Sequence, residues 1–183
     1  EELLRYYEIH GEMLIKNGLC YPPHEVKYEQ SIVAPAVNYL FQLYELTGKI
    51  LYLEEGKKQL AVLVLFNGHQ PDFHMYENAV RHWDGYWFGK YKNLGDTFPH
   101  YWSSLSGVAF REYEKITGER SYGVKAENSL RGVLSMINGD GSASCAYVYP
   151  FMVNNVRCQY ADPWANDQDW ALYYYLKEGK NYD

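Results

Sequence analysis

Apolar residues recur every three to four positions in six stretches of the chain, and this spacing predicts six amphipathic helices. The predicted helices cover approximately residues 1–16, 31–46, 52–66, 101–116, 122–137 and 167–176. In the second helix, Val33, Val37 and Leu40 lie on the apolar stripe, and Ser31 is expected to cap the N-terminus. Pro35 would then fall in the first turn, where its missing N–H has no intrahelical partner to lose.

Two turns carry the same local sequence at a spacing of 70 residues. Residues 45–52 read ELTGKILY and residues 115–122 read KITGERSY, with a tyrosine four residues after each glycine. A weaker third copy, LKEGKNYD, occupies residues 176–183. Each repeat is therefore a helix, a short turn, a second helix and a long loop. Because helices joined by short turns run antiparallel, the short turns should lie on one face and the long loops on the other.

Within the long connection 138–166, the strings AYVYPFMV and VRCQYA flank Asn154 and Asn155. Asparagine tolerates positive φ, so this pattern predicts a β-hairpin with a tight turn. The predicted fold class is therefore all-α. We expect one domain over residues 1–183, built from repeated antiparallel helical hairpins, with one small β-hairpin in a long loop.

The composition of the chain argues against two classes of binding partner. The net charge is −6 and no basic run is present, so we expect no nucleic-acid partner. No apolar stretch approaches the roughly 20 residues of a membrane span, so we expect no membrane partner. Aromatic residues reach 17% of the chain, with 20 tyrosines and five tryptophans. Such rings pack cores and also stack on ring-shaped ligands.

The connection from Asn67 to Trp102 concentrates the chemically active residues. It holds four of the six histidines and three of the five tryptophans, together with four carboxylates. Its glycines and prolines exclude one continuous helix or strand. Long connections of this kind are usually functional or disordered, and the aromatic content argues against disorder. We therefore predict that this loop forms one wall of a cleft on the long-loop face.

Three strings in the chain resemble a known family. They are HEVKYEQSIVAPA (24–36), RHWDGYWFGKYKNLGDTFPHYWS (81–103) and YADPWANDQDWALYY (160–174). Together with the repeated hairpins, they resemble bacterial polysaccharide-degrading members of the six-hairpin glycosidases, the (α/α)6 toroids. That fold implies twelve helices, twice the number predicted here. The resemblance therefore implies a partial toroid, either the C-terminal part of a longer protein or a ring completed by another chain.

Glycoside hydrolysis, the activity implied by the resemblance, needs two carboxyl groups across the scissile bond. Candidates on the long-loop face are Glu25, Glu29, Asp72, Glu77, Asp84, Asp96, Asp140, Asp162, Asp167 and Asp169. Asp84 and Asp96 are the preferred catalytic pair, because neighbouring rings would desolvate each carboxyl and raise its pKa. Glu25 is the third candidate.

Substrate contacts are predicted from the same loops. Aromatic faces suit the apolar face of a sugar ring, and arginine suits a uronate carboxylate. The predicted substrate-binding residues are Arg81, His82, Trp83, Trp87, His100, Trp102, Asp162 and Trp164. We expect neither a metal ion nor a cofactor.

The leading hypothesis is a glycoside hydrolase acting on an oligosaccharide or polysaccharide, and Arg81 and the histidines make a uronic-acid-containing substrate one option. The first alternative is a polysaccharide lyase, in which a tyrosine or histidine abstracts the proton α to a uronate carboxylate. The second is a carbohydrate-binding domain without catalysis. Residues 1–20 do not resemble a signal peptide. We expect a secreted or periplasmic protein whose signal lies outside this chain, and whose further partners are the rest of the toroid or copies of itself.

Overall fold

A computed structural model describes residues 2–19, 30–67, 96–143, 146–149, 152–153, 155–157 and 168–179. The helices are α1 (Glu2–Asn17), α2 (Gln30–Thr47), α3 (Ile50–Val64), α4 (Ser103–Thr117), α5 (Arg120–Gly132) and α6 (Gln168–Glu178). A 3-10 turn, Val133–Met136, extends α5. The strands are β1 (Asp96–His100), β2 (Ala146–Tyr149), β3 (Met152–Val153) and β4 (Val156–Arg157). The predicted helical hairpins are confirmed.

The N-terminus of α2 differs from the prediction. The helix begins at Gln30, so Ser31 lies inside it and is not the N-cap. Pro35 is then the sixth residue of α2, beyond the first turn. A proline at this position removes the intrahelical bond to the carbonyl of Ser31. The helix continues to Thr47 because its remaining residues bury an extensive apolar surface.

The two short turns have the same structure, as the repeat predicts. Gly48 and Gly118 adopt left-handed φ angles of 68° and 75°. Their N–H groups donate to the carbonyls of Tyr44 and Glu114 at 2.8 and 2.7 Å, which caps the ends of α2 and α4. Residue Gly179, in the third copy, makes the same type of bond to Tyr175 at 2.8 Å without a left-handed φ.

Replacing Gly118 with alanine should lower the free energy of unfolding by about 1–2 kcal/mol, because a Cβ is strained at this φ. Gly139→Ala is the control, since that glycine has neither a left-handed φ nor a neighbour within 4 Å of an added Cβ. The control should change stability by less than about 0.5 kcal/mol. Urea unfolding of both variants checks this, and equal losses would contradict the capping role of Gly118.

The helices form two layers. α4 packs between α2 and α6, while α3 packs against α2 and α5 against α4. Close approach is possible because glycines replace side chains at the contacts. A Cβ on Gly56 would lie 2.5 Å from the Phe41 ring, and one on Gly107 would lie 2.7 Å from Leu130. The main core fills the space between the hairpins; its largest fully buried residues include Phe41, Leu60, Leu63, Phe66 and Phe110.

The strands correct the predicted β-hairpin in part. β3 and β4 pair as expected, with Met152 opposite Arg157, and Asn155 adopts a φ of 61° in the turn. Among the described residues, the preceding segment has a different partner. β2 instead pairs antiparallel with β1, more than 40 residues earlier in the chain, with Asp96 opposite Tyr149 and His100 opposite Ala146. Within the described part of the chain, no helix has the length and apolarity needed to cross a membrane.

Candidate functional site

The entry to α4 is where the ends of several elements meet. Tyr101 and Trp102 precede α4, and their rings lie 5.5 Å apart between centroids. They pack against Val133 and Met136 at the end of α5 and against Ala171 near the start of α6. The long-loop ends of these three helices therefore share one face, as the repeat predicts. Trp102, a predicted substrate residue, is half-buried in this cluster.

β1 places two further predicted residues next to this cluster. Asp96 begins the strand and His100 ends it, which separates them by about 13 Å of extended backbone. The strand is held by β2, and its register with β2 is irregular between Thr97 and His100. Asp96, His100 and Trp102 thus belong to one short strand-and-turn unit that leads directly into α4. The structure describes Asp96 and His100 by their backbone.

The other predicted site residues lie outside the described residues. They are Glu25, Arg81, His82, Trp83, Asp84, Trp87, Asp162 and Trp164. Four further loop carboxylates also lie outside the described residues: Glu29, Asp72, Glu77 and Asp167. These assignments therefore stay predictions.

Asp140 is a structural carboxylate. One of its oxygens accepts hydrogen bonds from the backbone N–H of Ser142 at 2.9 Å and from the Ser142 hydroxyl at 2.7 Å. These bonds lower the pKa of Asp140, because they favour the ionised form. Asp140 therefore stabilises the turn that it forms with Ser142.

A layer of buried polar side chains lies beneath the long-loop face, and sequence reasoning missed it. Ser106 Oγ donates to Gln30 Oε1 at 2.9 Å, which joins the entries of α2 and α4. Asn38 Nδ2 donates to the carbonyl of Leu105 at 3.1 Å. A third bond, from Asn67 Nδ2 to Ser129 Oγ at 3.1 Å, joins the end of α3 to α5. Buried polar groups are normally paired, so these bonds fix how the hairpins meet.

A buried ion network anchors α6 at the opposite end of α4. The guanidinium of Arg111 contacts Glu114 at 2.6 Å and Glu127 at 3.2 Å. Its Nε donates to the carbonyl of Glu178 at 3.1 Å. Beside this network, a cavity of about 440 Å³ runs along α5 and is lined by residues of α4 and α5, among them Glu114, Glu127 and Arg131. The network links α4, α5 and α6.

Near the short turns, Glu45 lies beside Glu112, which pairs with Lys115 at 2.7 Å. Desolvation of the carboxyl, followed by the charge of Glu112 and a hydrogen bond to it, raises the pKa of Glu45 above its usual range. The folded state therefore holds this proton more tightly than the unfolded state. The resulting stabilisation is present below the unfolded pKa and is lost as the pH rises through the folded pKa.

Glu45→Gln should consequently raise the melting temperature relative to the wild type more at about pH 8 than at about pH 4. The glutamine keeps a donor towards Glu112 and removes the repulsion between two ionised carboxylates. Thermal unfolding of both proteins at the two pH values measures the difference. An equal shift at both pH values would show that Glu45 does not titrate differently in the folded state.

No protein-family model matches the chain. No curated protein matches it either. Its structure is similar to the solved structure of a polysaccharide lyase, with a TM-score of 0.77 and 53% sequence identity. The match covers 96% of this chain and 26% of that lyase chain, so this chain spans about a quarter of that lyase's length.

Proposed function

We propose that the chain is part of a polysaccharide lyase that cleaves a uronic-acid-containing polysaccharide by β-elimination. The observation that carries this proposal is the 53% identity with a polysaccharide lyase over 96% of the chain. This similarity favours the lyase alternative over the glycoside hydrolase that was the leading hypothesis. It also favours a catalytic protein over a domain that only binds carbohydrate.

Elimination requires a base and a group that stabilises the uronate carboxylate. The base removes the proton on the carbon α to the carboxylate, and a double bond forms between the α and β carbons. The bond from the β carbon to the glycosidic oxygen breaks, and a proton passes to that oxygen. Histidine and tyrosine suit the proton transfers, and arginine suits the carboxylate. We assign the base to His100, with His82 as the second histidine and Arg81 as the carboxylate partner.

The position of His100 supports its choice as base. Its backbone lies at the end of β1, two residues before Trp102 and three before the first residue of α4. The strand pairing and the cluster around Trp102 hold this segment from two sides. A base must be held in place relative to its substrate, and a supported strand end meets that need.

The predicted aromatic and acidic residues take supporting roles in this proposal. Trp83, Trp87 and Trp164 form the sugar platform. Asp84, Asp96, Glu25 and Asp162 bind hydroxyl groups or orient the histidines. No metal ion or cofactor is assigned.

The architecture proposed for the whole protein is a toroid of helical hairpins. The two-layer arrangement, with α4 between α2 and α6, supports it because each hairpin repeats the position of the one before. The rest of such a ring would come from the longer polypeptide or from a second copy. We propose a secreted or periplasmic location, where polysaccharide substrates occur.

Mass spectrometry of the products tests the reaction type. A lyase leaves a product one water lighter than the corresponding hydrolase product, because elimination consumes no water. The chain is incubated with a set of uronate polysaccharides, and the released oligosaccharides are weighed. Products that contain the added water would contradict the lyase proposal. Binding without any product would favour a carbohydrate-binding domain.

A further inference from the structure

The two hairpins offer an internal comparison of equivalent positions. At a spacing of 70 residues, Ser103, Ser104 and Ser106 of α4 correspond to Val33, Ala34 and Ala36 of α2. All six residues are buried. The first hairpin therefore packs these positions with apolar side chains, whereas the second carries three hydroxyl groups. Burying a hydroxyl costs free energy unless it is hydrogen-bonded, so packing alone does not account for the serines.

Ser106 has a specific partner across the helix interface. Its hydroxyl donates to Gln30 Oε1 at 2.9 Å, and both residues are 0% exposed. Gln30 is the first residue of α2, and Ser106 lies in the first turn of α4. The bond thus joins the two helix entries on the long-loop face. One of these entries, at α4, continues directly from the strand that contains Asp96 and His100.

The amide nitrogen of Gln30 strengthens this interpretation. Among the described residues, Gln30 Nε2 has no hydrogen-bond partner although it is fully buried. An unpaired buried donor costs about 1–3 kcal/mol, which a purely structural position would avoid by carrying an apolar residue. Gln30 therefore holds α4 through its side-chain oxygen and tolerates the cost of an unpaired buried nitrogen in order to do so.

We propose that Gln30 and Ser106 are positioning residues, which fix the entry of α4 and with it the segment Asp96–Trp102. The pair does not contact substrate, because both side chains are fully buried. Loss of the bond lets the α4 entry and β1 move relative to α2. The expected effect of this loss on catalysis rests on the lyase function proposed above. The expected effect on the mobility of Asp96–Trp102 does not.

Ser106→Ala is the direct test, because alanine is the residue that α2 carries at the equivalent position, Ala36. Ser129→Ala is the matched control. It removes a buried hydroxyl that also pairs with a side-chain amide, but between α3 and α5. Gln30→Met removes the other partner of the proposed pair. The double variant Gln30→Met with Ser106→Ala shows whether the two residues act as one unit.

Backbone amide exchange and steady-state kinetics are the two measurements. In Ser106→Ala, amide exchange of residues 96–102 other than Pro99 should become about five- to tenfold faster, while in Ser129→Ala it stays within about twofold. With a uronate polysaccharide that the wild type cleaves, kcat of Ser106→Ala should fall about tenfold and KM should stay within about twofold of the wild-type value. The reason is that the segment Asp96–Trp102 is less well positioned while substrate binding is kept. The double variant should be no slower than Gln30→Met.

Three results would overturn the positioning role: unchanged exchange in Ser106→Ala, equal effects in Ser129→Ala, or faster exchange with unchanged kcat. A wild-type chain that cleaves no uronate polysaccharide would instead remove the proposed lyase function. In that case the exchange comparison alone decides the positioning role, so the two failures are distinguishable.

Discussion

Arg111→Ala is expected to lower the free energy of unfolding by about 3–5 kcal/mol, because it removes the cation that lies nearest to two largely buried carboxylates, Glu114 and Glu127. The Arg111 side chain is 5% exposed, and the carboxylate of Glu127 is 9% exposed. The substitution also removes the bond from Nε to the carbonyl of Glu178, which holds the end of α6. α6 should therefore lose its contact with α4 before the rest of the domain unfolds.

Lys115→Ala is the control for the Arg111 variant. Lys115 also joins α4 to α6, through Glu178 at 2.9 Å, but its side chain is 50% exposed. Its loss should cost no more than about 1 kcal/mol. The double variant Arg111→Ala with Glu127→Ala should recover part of the loss, since one of the two carboxylates that face the deleted guanidinium is then also absent. Urea unfolding measures all three, and a loss below about 1 kcal/mol for Arg111→Ala would contradict the network's role.

His100→Ala is expected to lower kcat on a uronate polysaccharide by about 10²–10⁴-fold, the range for losing a general base. KM should change little, because the platform and the carboxylate partner remain. His10→Ala is the matched control, since His10 is exposed on α1 and should leave kcat unchanged. A His100→Ala variant that keeps more than about a tenth of the wild-type kcat would exclude His100 as the base.

Asp84→Asn separates the two reaction types in the same assay. A hydrolase that uses Asp84 as one of its carboxyl pair would lose activity on this substitution. The lyase proposal gives Asp84 an orienting role, so the loss should be smaller than for His100→Ala. The opposite order of effects would favour the hydrolase.

The helices could be predicted because their signal is local. Apolar residues at helical spacing and the glycines at 48 and 118 define each hairpin without knowledge of distant contacts. The helix ends were less accurate, as at Gln30, because tertiary burial extends a helix beyond its capping residues. β1 was missed for a different reason. Pro99 is unfavourable within a strand, and the partner strand β2 lies more than 40 residues away in the chain.

The sequence predicted which face of the helical hairpins carries the candidate site, but not the atomic contacts within the site. The repeat correctly brings the ends of α4, α5 and α6 together around Trp102. The bond between Gln30 and Ser106 joins residues 76 positions apart, and no local pattern reports such a pair. The sequence signal for this pair is that Val33, Ala34 and Ala36 of the first repeat are replaced by serines in the second. A comparison of equivalent positions in the two repeats reveals these serines.

Ultraviolet absorbance during incubation of the chain with uronate polysaccharides distinguishes a lyase from a hydrolase. Elimination creates a double bond conjugated to the uronate carboxylate, which absorbs in the ultraviolet, and hydrolysis creates none. We expect absorbance to rise in step with newly formed reducing ends, and His100→Ala to abolish both. Reducing ends that form without a rise in absorbance would contradict the lyase proposal and identify the chain as part of a hydrolase.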